Sequence, residues 1–114
     1  MANSPSNRIL AQTIFTFNSA NLDNTLKYAA TLDFPTRLLR IINESNENVI
    51  ISYDGVNAHD VVLADTTIQL PFGALGFSNN NSCAMAANTN IYVTGSAGMG
   101  NIIFVAYYQP SNNP

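Results

Sequence analysis

The chain has 114 residues and a mass of 12.3 kDa, enough for one domain with a hydrophobic core of its own. Hydrophobic residues make up 46% and charged residues 10%, against about a quarter charged in an average soluble domain, which excludes the disordered class. The net charge of −3 is unevenly spread: residues 1–40 hold all four bases (Arg8, Lys27, Arg37, Arg40) and sum to +2, residues 41–65 hold five acids and no base, and residues 66–114 hold no charge at all.

Residues 1–7 read as a polar arm without the basic, apolar pattern of a secretory leader. The run 8–17 (RILAQTIFTF) has the β-branched and aromatic content of a strand. The stretch 18–31 (NSANLDNTLKYAAT) is the one with helical character, Asp23 or Asn24 being candidate caps, and Pro35 ends it. Residues 36–43 (TRLLRIIN) are apolar on both parities, as in a strand covered on two faces. Strands are predicted next at 48–54, 59–64 and 66–72, with Asp54-Gly55 as a tight turn between the first two. Residues 73–89 form the longest loop, rich in Asn and small residues, with Leu75, Phe77 and Met85 as candidate anchors. The last two strands, 90–94 and 101–109, are joined by a glycine-rich connection read as a hairpin. In the final strand Ile102, Phe104, Ala106 and Tyr108 alternate with Ile103, Val105 and Tyr107, so both faces are apolar and both need covering.

Seventeen asparagines, grouped at these junctions, suit many short turns. The expected architecture is all-β: a single antiparallel β-sandwich of about seven strands, jelly-roll or immunoglobulin-like, with at most one short helix. The sandwich occupies 8–109, between the arm at 1–7 and a C-terminal tail at 110–114.

Little chemistry is legible. The acidic pI of 4.6 and the absence of a basic stripe argue against a nucleic-acid partner. The longest apolar run, 102–108, is far short of the ~20 residues that span a bilayer, so no membrane is expected. Cys83 alone makes neither a disulfide framework nor a zinc site, and reads as a buried thiol. His59 beside Asp60 would need Ser52 or Cys83 as a third member, and neither sits in a nucleophile context. Asp54, Asp60 and Asp65 lack the alternating oxygen ligands of a calcium loop. The glycines at 95–100 lead into a strand with no lysine, unlike a phosphate loop. The expectation is a non-enzyme with no cofactor and no metal.

The segments 37–43 (RLLRIIN), 48–55 (NVIISYDG) and 59–64 (HDVVLA), followed by 91–95 (IYVTG) and 100–108 (GNIIFVAYY), form a series. This series resembles small virion structural proteins of tailed bacteriophages. In that group an R-x-x-x-I-x-N strand precedes a V-x-I-S-x-D-G strand and turn, a D-V-x-x-A strand and a terminal G-x-I-x-V-x-Y-Y strand. The resemblance covers about 36–108. It implies a virion β-sandwich, assembled in the host cytoplasm, that oligomerises at the head–tail neck beside portal or neck proteins. Decoration of the capsid is the alternative setting, and a carbohydrate-binding module using Tyr53, Tyr92, Tyr107 or Tyr108 is a more distant one.

An uncharged, apolar C-terminal half fits a subunit covered by neighbours. The candidate interface comprises Ile103, Val105, Tyr107, Tyr92, Arg37, Arg40, Asp54 and His59. The −5 segment is expected to meet the +2 region of the next copy head-to-tail and so close a ring. The strand 101–109 is expected to offer its outer face or its edge, and the arm 1–7 to lie over a neighbour.

Overall fold

In the computed structural model, which describes residues 10–71 and 85–108, the β-branched runs form nine strands. These are β1 (Leu10–Ala11), β2 (Phe15–Asn18), β3 (Lys27–Thr31), β4 (Thr36–Asn43), β5 (Val49–Ser52), β6 (Asp60–Val62), β7 (Thr66–Pro71), β8 (Asn90–Thr94) and β9 (Asn101–Tyr108). All pair antiparallel. One sheet has the order β1-β9-β4-β7, with β2 also paired to β9, and the other has the order β3-β8-β5-β6. The chain is a β-sandwich. With the two-residue β1 set aside, β2-β9-β4-β7 over β3-β8-β5-β6 is the strand order of a jelly roll, not that of an immunoglobulin domain.

The core lies between the sheets. From the five-stranded sheet come Leu39, Ile41, Ile102, Phe104 and Ala106; from the four-stranded sheet come Ala30, Val49, Ile51, Val62, Ile91 and Val93. Each fully buried aliphatic side chain of this kind contributes about 1.5–3 kcal/mol. Leu22 and Leu32 plug the flanks from the turns beside β3.

Three expectations are refined. The run 8–17 divides into β1 and β2 because Gln12 turns inward between them. Its backbone N–H donates to the Ala106 carbonyl, its Nε2 donates to the Thr31 carbonyl at 3.0 Å, and its Oε1 accepts from the Asp33 N–H at 3.0 Å. In 18–31, only Ser19–Asn21 is helical, as a single 3-10 turn whose Asn18 side chain accepts from the Ala20 N–H. Lys27–Thr31 becomes a strand because pairing with β8, through a register shift between Tyr28 and Ala30, buries both Ala29 and Ala30. Packing overrides the alanines' intrinsic helix preference. The glycine-rich segment 95–100 is an arch between the two sheets rather than a hairpin, since β8 and β9 lie in different sheets. Gly100, at φ 117°, sits where a Cβ would collide with the Glu44 carbonyl oxygen.

The opposite crossing, from β4 to β5, is held by a buried amide. Asn43 is 1% exposed. Its Nδ2 donates to the carbonyls of Glu47 (2.9 Å), Val62 (3.0 Å) and Leu63 (3.2 Å), and its Oδ1 accepts from the Ser45 N–H (2.9 Å) and Ser45 Oγ (2.6 Å). One side chain therefore ties the end of β4 to the end of β6 in the other sheet. The arm 1–7, the tail 110–114, Cys83, Leu75 and Phe77 lie outside the described residues.

Candidate functional site: the outer sheet faces

Alternation along β9 and β4 decides what the five-stranded sheet shows to its surroundings. With Leu39, Ile41, Phe104 and Ala106 inward, the opposite parity carries Leu38, Arg40 and Ile42 on β4 and Ile103, Val105 and Tyr107 on β9. The register sets Leu38 across from Tyr107, Arg40 from Val105, and Ile42 from Ile103. Leu38, Ile42, Ile103 and Tyr107 are half-buried with no third layer over them among the described residues. Val105 differs. At 8% exposure it is covered within the chain although it lies off the inter-sheet core, so it is floor rather than surface. Its cross-strand partner Arg40 extends its guanidinium to 5.7 Å from the centre of the Tyr107 ring, a cation–π contact.

β9 cannot offer an edge. It is flanked by β1 and β2 on one side and by β4 on the other. Of the two modes expected for the terminal strand, only the face is open.

The other predicted interface residues lie at the margin of this face or elsewhere. Arg37 occupies the register shift at the start of β4. Tyr92 is on the outer face of the four-stranded sheet, edge-on to the half-exposed Tyr28 at 6.2 Å and packed against Gly55. Asp54 and His59 belong to the β5–β6 hairpin, at one end of that sheet. The eight candidates thus divide between two faces and do not form one patch.

The hairpin is built by Asp54. Its Oδ1 accepts from the N–H groups of Val56 and Asn57, both at 2.8 Å, and from Ser52 Oγ at 3.0 Å; Asn57 Nδ2 donates to Oδ2 at 2.9 Å. Those bonds, the backbone ones foremost, hold the Asp54 carboxyl well below the usual carboxylate range. His59 Nδ1 accepts from the Tyr53 N–H at 3.0 Å, the His59 ring stacks on Tyr53, and Nε2 stands 3.8 Å from Asp54 Oδ2. Tyr53 Oη donates to Asp60 Oδ2 at 2.6 Å, and burial first, then that bond, pushes the phenol far up. Ser52 Oγ is fully buried and committed to Asp54, so it stands in no relay with His59. Asp65 lies beyond the other end of β6, and no group of three or more His, Cys, Asp or Glu converges on a metal-sized site among the described residues.

The ion pairs among the described residues are Lys27 with Asp23 at 3.2 Å and His59 with Asp54. Arg37 and Arg40 therefore have no carboxylate partner there. Three apolar residues that sequence reading passed over are also notable: Val61 and Leu63 are each 55% exposed on the edge strand β6 or just past it, and Ile50, in register with Val61, is half-buried beside them. Alternation along 59–64 sets Val61 and Leu63 opposite Asp60 and Val62, and the burial of Val62 leaves the first two outward. No helix among the described residues is long and apolar enough to cross a membrane.

No protein-family model matches the chain, and no curated protein does. Among solved structures, a chain described under "Bacillus endospore appendages form a novel family of disulfide-linked pili" is similar at a TM-score of 0.47 and 10% identity, over 97% of this chain and 98% of that one. A likeness that distant does not speak to function.

Proposed function

We propose that this protein is a non-enzymatic structural subunit that works by self-association, and that its setting is a tailed-phage virion, at the head–tail neck. The observation that carries the first part is the outer face of the five-stranded sheet: Leu38, Ile42, Ile103 and Tyr107 around Arg40, which has no carboxylate partner among the described residues. A sheet face normally carries polar residues on the side that meets water, and contiguous apolar exposure marks an interaction surface. What supports the setting is the strand-and-turn series over 36–108. Jelly rolls occur in viral shells and in lectins alike, so the fold is compatible with the setting without choosing it.

Quantitative mass spectrometry of purified particles tests the setting. On the order of a dozen copies per particle fits a closed neck ring, hundreds indicate capsid decoration, and absence from particles overturns the virion reading. The pair of exposed Tyr28 and half-buried Tyr92 favours one further reading, a sugar-stacking surface. Specific glycan binding lost in Tyr92→Ala, with self-association absent, would replace the scaffold by a binding module.

A further inference from the structure

Two unlike surfaces on this subunit are complementary in charge. The outer face of the five-stranded sheet is apolar with Arg40 at its centre and Arg37 at its margin. The second surface lies at the β6 edge of the other sheet, where Val61, Leu63 and Ile50 form an apolar patch with no strand beside it among the described residues. Acids stand at its two ends: the exposed Asp65 follows Leu63 by two residues, and Asp60 opens β6 with its carboxylate accepting from Tyr53 Oη. Residues 41–65 supply no base to offset these acids.

We infer that the β6 patch of one copy seats on the Arg40 face of the next, so that the subunit associates head-to-tail. This rests on the self-association proposed above and names the occupant of its face as a second copy. Each surface supplies what the other lacks. Arg37 and Arg40 have no carboxylate partner within the described part of their own chain, and the β6 patch is flanked by Asp60 and Asp65 in a segment, 41–65, that contains no base. Exposed apolar residues on an edge strand, as β6 is among the described residues, are also what an isolated sandwich normally avoids. Because the two surfaces differ, the contact is heterologous, and repeating it yields a closed ring or an open filament rather than a two-fold dimer. The rival is a like-to-like contact in which a two-fold axis near Ile42 sets Arg40 of one copy against Glu44 of the other.

Mixing of two blocked variants separates these. Ile103→Asp disables the Arg40 face and Val61→Asp disables the β6 patch; both sites are surface-accessible, and circular dichroism confirms that each variant is folded. In sedimentation velocity at low salt, wild-type protein forms oligomers, while each variant alone is monomeric. The mixture forms a one-to-one dimer through the two intact surfaces. That dimer weakens at least tenfold in high salt, where the charge pairing is screened. If Val61→Asp still oligomerises like wild type while Ile103→Asp does not, the head-to-tail contact is wrong although self-association through the sheet face stands. If wild-type protein is monomeric at every concentration, the proposed function itself fails.

Discussion

Replacing Asn43 with alanine removes the side chain that joins the two sheets at the β4–β5 crossing. Five hydrogen-bond contacts disappear, three shared between the two protons of Nδ2 and two received by Oδ1. Counted as about four full bonds at a net value of about 1 kcal/mol each, the sum is about 4 kcal/mol. Two of the abandoned carbonyls keep other donors, however: Leu63 accepts from the Thr66 N–H and Oγ1, and Glu47 accepts from Ser45 Oγ. The expected loss is therefore about 3 kcal/mol, out of a total of roughly 5–15 kcal/mol for a domain, with a fall in Tm of roughly 10–15 °C. Asn43→Asp is expected to be worse than alanine, because a carboxylate donates nothing and would face three carbonyl oxygens in a buried site. Urea unfolding followed by far-UV circular dichroism measures both, the chain having no tryptophan. A loss below about 1 kcal/mol for alanine, or aspartate tolerated better than alanine, would refute the role assigned to this amide.

Gly100→Ala should cost about 2 kcal/mol or more in thermal unfolding, since the new Cβ meets the backbone carbonyl of Glu44 at a positive φ that alanine resists; an unchanged Tm would show that the arch relaxes freely. The Asp54 carboxyl lies below its ordinary value in the folded chain, so its contribution is complete above the unfolded value of about 3.9 and is lost as pH falls through the folded value. The amide resonances of Val56 and Asn57 should therefore hold steady through the usual carboxylate range and move only in stronger acid. Movement near the ordinary carboxylate value would mean that Asp54 does not organise the hairpin.

The sandwich was legible because 36–43, 90–94 and 101–108 are short runs rich in β-branched and aromatic residues and the turn residues between them are explicit. Its jelly-roll order was not, since sequence periodicity says which residues share a face and nothing about which strands are neighbours; hence the glycine arch at 95–100 read as a hairpin. Residues 18–31 misled because Ala29 and Ala30 favour a helix locally, and only pairing with β8 gives them a buried place in a strand. The candidate surface was half visible. Parity identified Ile103 and Tyr107, but Leu38 and Ile42 join them only once β4 is known to lie beside β9. Val105 shares that parity, and its burial depends on neighbours that alternation along one strand does not reveal. Tyr92, Asp54 and His59 lie on the other sheet from Ile103 and Tyr107, a separation that follows from strand order and not from composition.

Self-association through the outer face of the five-stranded sheet is tested most directly by electron cryomicroscopy of the assembled protein or of the particle that contains it. Leu38, Ile42, Ile103 and Tyr107 should be covered by another polypeptide chain, with Arg40 within ion-pair distance of a carboxylate that is not its own. A map in which the subunit is ordered and that face is bathed in solvent would contradict the claim.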